Sequence, residues 1–113
     1  MLVVRFDYAI GEVAERPRQW QATIVAYDYE LFVDQGLEIL VYHWHPHVPH
    51  SVPFPHLHVG NATTPVDLSK AHLPTGFVGL SAVLRLAIDD LGVEPLRPDW
   101  RAVLESAEQN AET

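Results

Sequence analysis

Residues 2–10 place apolar side chains at every second position, and this pattern constrains the fold more than any other feature of the chain. The apolar side chains on one face are Leu2, Val4, Phe6, Tyr8 and Ile10. A period of two is typical of a β-strand with one buried face. The chain is therefore predicted to begin with a strand, and hence with part of a sheet.

Two further segments have the composition of strands. Residues 20–32 are rich in β-branched and aromatic side chains, which favour strands. The turn-forming residues 34–36 follow, and Gly36 can adopt the positive φ that a tight turn requires. We therefore expect a third strand over 37–45 that pairs antiparallel with the second.

The middle of the chain contains three closely spaced prolines. Pro46, Pro49 and Pro53 exclude a helix and a central strand between them, so a stiff loop is predicted there. Residues 54–60 are predicted to form a fourth strand and residues 66–74 an edge strand.

The last third of the chain changes period. Apolar residues recur at spacings of three and four between Leu80 and Leu91, which predicts an amphipathic helix ended by Gly92. A second, short helix is predicted over 98–107, followed by a frayed tail at 108–113. Strands followed by helices predict an α+β fold, an antiparallel sheet of four to five strands with one long and one short helix packed on one face. The chain has 113 residues, so we expect a single domain over 1–113.

Composition excludes several classes of function. The chain has no cysteine, which excludes thiolate metal sites, disulfides and cysteine nucleophiles. The chain has seven Lys and Arg residues but fifteen Asp and Glu residues, so a broad basic surface for duplex DNA is not expected. Apolar runs stay well short of the roughly 20 residues that cross a membrane, and the N-terminus lacks the layout of a signal peptide. A cytoplasmic location without membrane contact is the expectation.

Histidine is the most informative residue type. Six of the seven histidines lie in 43–58, and no Asp, Glu, Lys or Arg lies between Glu38 and Asp67. Side chains two apart in a strand point to the same side. His43 and His45 therefore share a face, as do His56 and His58. The two pairs can meet on one patch if their strands are neighbours.

Further residues can join or orient these pairs. His47 and His50 come from the intervening loop and His72 from an adjacent strand. An acidic side chain or a backbone carbonyl could orient a ring nitrogen. The acidic candidates are Asp7, Asp28 and Asp67, and their positions in the sequence do not show which residue has this role.

Three kinds of function remain open. The first uses no cofactor: His56 and His58, supported by His43 and His45, act as general acid and base in RNA or other phosphodiester cleavage. The second is a site for Zn²⁺ or another divalent transition metal. Its candidate ligands are His43, His45, His56, His58 and His72. The third is a non-enzymatic acidic interaction module whose histidines respond to pH.

A resemblance supports the first of these. The chain resembles small bacterial TumE-like toxins of toxin–antitoxin pairs. The matching segments are 27–29, 42–45, 55–58 and 80–91. The resemblance implies a growth-inhibiting, RNA-directed ribonuclease that a cognate antitoxin neutralises, with His56 and His58 at the matched motif positions. A homodimer is left open.

Overall fold

Five strands precede two helices in the chain. The computed structural model describes residues 1–33, 36–60, 66, 68 and 70–112, without side chains at 110–112. The elements are β1 (Leu2–Glu12), β2 (Trp20–Phe32), β3 (Glu38–Trp44), β4 (His56–Val59), β5 (Leu73–Pro74), α1 (Leu80–Asp89) and α2 (Trp100–Glu112). The predicted α+β class is confirmed.

The strands form one sheet in the order β1-β2-β3-β4-β5, and every neighbouring pair is antiparallel. The predicted hairpin of β2 and β3 is confirmed, with Tyr27 opposite Trp44 and Leu31 opposite Leu40. Gly36 has a φ of 77°, as the turn requires. The rest of that predicted turn, 34–35, lies outside the described residues.

The last two strands are shorter than predicted. β4 covers His56–Val59 instead of 54–60, and β5 covers Leu73–Pro74 instead of 66–74. The chain turns just before β5, where the Ala71 amide donates to the Leu68 carbonyl. Pro74 has no amide hydrogen, so it suits the edge of the sheet.

One face of the sheet is aromatic. Tyr27 and Tyr29 stack with ring centroids 4.6 Å apart and are almost fully buried. Trp44 and Phe77 pack against Tyr27, and Tyr42 packs against Tyr29. The alternation of side chains therefore sends the histidines of β3 and β4 to the opposite face.

The chain divides into two compact units, Met1–Phe77 with the sheet and Val78–Thr113 with the helices. Within the second unit, α1 contacts α2, and Arg85 donates two hydrogen bonds to Glu108. α1 ends at Asp89 with Asp90 as its C-cap, so it stops short of the predicted end at Gly92. Gly92 lies two residues beyond the cap and has a φ of 75°, a backbone conformation that favours glycine. The single-domain organisation and the packing of the helices on the sheet stay predictions.

The two helices differ in length from the expectation. α1 has 10 residues and α2, which was predicted to be the shorter helix, has 13 and includes 108–112 of the predicted tail. Among the described residues, no helix is long and apolar enough to cross a membrane. The cytoplasmic location stays a prediction.

Candidate metal centre

The register of the sheet brings the histidines of two strands together. His43 on β3 is directly opposite Asp28 on β2 and His56 on β4, and His58 is opposite Val41. Directly opposed residues of an antiparallel pair point to the same face, with their Cβ atoms about 5 Å apart. The two predicted His pairs therefore lie on one patch.

Five histidine rings form a continuous group, which we call the imidazole cluster: His43, His45, His56, His58 and His72. The ring centroids of His43 and His58 are 5.2 Å apart, and those of His56 and His58 are 5.0 Å apart. His45 joins through His43 at 5.8 Å, and His72 joins through His58 at 4.8 Å. The two His pairs were expected to meet if β3 and β4 are neighbours. The two strands are neighbours, and the pairs do meet.

Three members of the cluster lie close enough together that they could hold a metal ion. His43, His56 and His58 each present a ring nitrogen, and the three nitrogens lie within 4.8 Å of one another. Two nitrogens on one tetrahedral zinc are roughly 3.3 Å apart, because each Zn–N bond is about 2.0–2.1 Å. Separations near the 4.8 Å limit would have to shorten for the three nitrogens to share one zinc ion.

The backbone holds His56 in a defined orientation. Its Nδ1 lies 2.9 Å from the carbonyl oxygen of Phe54. Since a carbonyl only accepts, Nδ1 carries the hydrogen, and the lone pair is on Nε2. His56 is buried, with 5% of its surface exposed, so the ring is both oriented and enclosed.

Asp28 connects two other members of the cluster. Its Oδ1 accepts a hydrogen bond from His45 Nε2 at 2.7 Å and lies 3.2 Å from His43 Nε2. Asp28 is therefore the acidic side chain beside these rings. Of the other two candidates for that role, Asp7 is exposed on β1, and Asp67 lies outside the described residues.

Burial favours the neutral form of His43. Desolvation lowers the pKa of His43 and outweighs the attraction of Asp28, which raises it. The neighbouring imidazoles of His58, His56 and His45 lower this pKa further, because like charges repel. A neutral imidazole is the form that binds a metal ion.

Two more carboxylates border the site. Glu30 and Glu38 line a depression of about 260 Å³ together with Val41, His43 and His58. Both carboxylates lie outside the charge-free stretch 39–66, so considering that stretch alone does not identify them. The alternation of β2 could have identified Glu30, because it lies two residues from Asp28 on the same face.

The loop histidines do not belong to the cluster. His47 and His50 are exposed in the segment between β3 and β4. His50 has a φ of 63°, a turn conformation that a histidine adopts more readily than most side chains.

No protein-family model, no curated protein and no solved structure matches this chain. The resemblance to TumE-like toxins stays a prediction.

Proposed function

We propose that the protein binds a divalent transition-metal ion, with Zn²⁺ as the best fit, through His43, His56 and His58. The observation that carries this proposal is the proximity of one ring nitrogen from each residue, all within 4.8 Å of one another. Imidazole nitrogen is a favoured ligand of Zn²⁺, Cu²⁺, Ni²⁺ and Fe²⁺.

The surroundings of the ligands support the proposal. Metal-binding histidines commonly donate their second ring N–H to a carboxylate or a backbone carbonyl, which fixes the tautomer. His56 has the Phe54 carbonyl in this position, and His43 has Asp28 beside its Nε2. The Nδ1 atom of His43 would then be its metal ligand.

The charge near the cluster favours a cation. Asp28 contacts two of the rings, and Glu30 and Glu38 line the adjacent depression. Carboxylates raise the local concentration of cations and repel phosphates. A metal ion is therefore a better partner for this patch than an RNA backbone.

Three protein ligands leave a further position on a tetrahedral ion. Such a position holds water in catalytic zinc sites, where the metal lowers the pKa of that water. His45 lies beside His43 and is held by Asp28, so it is the group best placed to accept a proton from the site.

Titration of the chelator-stripped protein with Zn²⁺ tests the proposal. We expect one strong site with a dissociation constant of about 1 µM or tighter. His56→Gln and His58→Gln should each weaken binding at least tenfold, because a lost ligand costs no less than a lost outer contact, about 10–100-fold. Circular dichroism checks that each variant is folded.

His47→Ala is the matched control, because this exposed histidine lies outside the cluster. It should leave the dissociation constant unchanged. Equal Zn²⁺ binding by wild type, His58→Gln and His47→Ala would show that the metal binds only to scattered surface histidines, and would refute the proposal.

One observation favours a second candidate, a metal-free ribonuclease. The His45–Asp28 hydrogen bond orients an imidazole as in a general base, and His56 and His58 lie close enough to share a substrate. This candidate predicts RNA cleavage that persists in EDTA and is lost in His56→Ala and His58→Ala. Cleavage or growth inhibition unchanged in both variants would exclude it.

A further inference from the structure

His72 lies at the edge of the sheet, next to the proposed ligands. β4 pairs with β5 through His56 opposite Pro74 and Leu57 opposite Leu73. Continuing this antiparallel register puts His72 opposite His58. Its ring centroid is 4.8 Å from that of His58 and 5.0 Å from that of His56.

These spacings are similar to, or slightly shorter than, those within the ligand set. The rings of His43, His56 and His58 have centroids 5.0–5.6 Å apart. Two imidazoles bound to one tetrahedral zinc have centroids about 5 Å apart, because each Zn–N bond is about 2.0–2.1 Å. The ring of His72 is therefore at a distance from His56 and His58 that suits a shared ion.

His72 differs from the other three in its exposure. His56 is buried and His43 and His58 are partly buried, whereas His72 is exposed. The nitrogens that already converge are those of His43, His56 and His58, so His72 must rotate to reach the same ion. Exposed side chains change rotamer within picoseconds to nanoseconds.

We propose that His72 is an exchangeable fourth ligand of the metal ion. The inference rests on the proposed function, since it needs an ion on His43, His56 and His58. With His72 bound, four imidazoles close the coordination sphere. With His72 rotated away, the fourth position is open to water or to a small external ligand such as azide.

Cobalt(II) is the probe for this exchange, because its visible absorption reports the number and type of its ligands. Co²⁺ affinity and azide binding to the Co²⁺-loaded full chain are measured for wild type, His72→Ala and the control His47→Ala. His72→Ala should weaken Co²⁺ binding by about tenfold or more, since a lost ligand costs no less than a lost outer contact. It should also change the absorption spectrum and strengthen azide binding.

The outcomes separate this inference from the proposed function. If His72→Ala matches wild type in Co²⁺ affinity, spectrum and azide binding, His72 is no ligand, while the three-histidine site stands. If His47→Ala changes these properties as much as His72→Ala does, the role of His72 is likewise refuted. If wild type binds Co²⁺ no better than His58→Gln does, both the proposed exchange of His72 and the proposed three-histidine metal site are refuted.

Discussion

The Nδ1 atom of His56 donates a 2.9 Å hydrogen bond to the carbonyl oxygen of Phe54. The bond spans only two residues, so the turn into β4 itself fixes the tautomer of the buried ring. The Nε2 lone pair of His56 is then directed by backbone geometry rather than by a mobile side chain. The backbone therefore orients His56 toward the position proposed for the metal ion.

Asp28→Asn should weaken Zn²⁺ binding by about 10–100-fold, the usual cost of losing an outer-sphere contact. The amide keeps the size of the side chain but removes the charge that faces His43 and His45. Competition with a chromophoric chelator measures the change. Asp7→Asn, an exposed substitution on β1, is the control, and equal affinities in the two variants would contradict an orienting role for Asp28.

Acidification should destabilise the metal-free fold through His43. Burial lowers the pKa of His43 in the folded chain below its ordinary value of about 6.5, so the unfolded chain takes up this proton first. The stabilising contribution is present above that ordinary value and is lost as the pH falls through it.

Urea denaturation with a chelator between about pH 8 and 5 measures this loss. The free energy of unfolding should fall less steeply with acidification in His43→Gln than in wild type. Identical pH slopes would show that His43 does not contribute to the acid sensitivity.

Gly60→Ala should destabilise the sheet by about 1–3 kcal/mol, the usual cost of overpacking. A Cβ at Gly60 would overlap the backbone carbonyl of Glu38, and the Gly60 amide donates to Ile39 at 2.8 Å. Urea denaturation measures the loss. Gly11→Ala is the control, because its Cβ would meet open space, and equal stabilities of the two variants would refute the close approach.

Tyr29→Phe should raise the free energy of unfolding by about 1 kcal/mol, because a buried polar group without a partner destabilises the fold. Among the residues that the structure describes, the buried Tyr29 hydroxyl has no hydrogen-bond partner, and burial raises its pKa. Thermal and urea denaturation measure the change. A loss of stability comparable to that of Tyr29→Leu would show that the hydroxyl has a favourable contact.

Much of the sheet is predictable from local sequence. The aromatic and β-branched residues of β2, together with Gly36, specify the hairpin with β3, and the structure contains it. The extent of β5 is not predictable in the same way, because this two-residue edge strand is defined by its pairing with β4 and not by its own composition. Helix lengths also differ, since the last residues of α2 lack a strong apolar period.

The site was only partly predictable. The His-x-His spacing correctly places each pair on one face, because strand alternation is a local property. The selection of Asp28 and the presence of Glu30 and Glu38 depend on the register between β2 and β3, which spacing alone leaves open. The exclusion of His47 and His50 from the cluster depends on the path of a loop with little regular structure.

Elemental analysis of the untagged chain measures whether the protein holds a metal ion through these histidines. The protein is purified without nickel resin, dialysed, and compared with His58→Gln prepared in the same way. We expect about one divalent transition-metal ion per wild-type chain, as in a single three-histidine site, and much less in the variant. Equal metal content in the two proteins would show that the three-histidine site does not bind the metal.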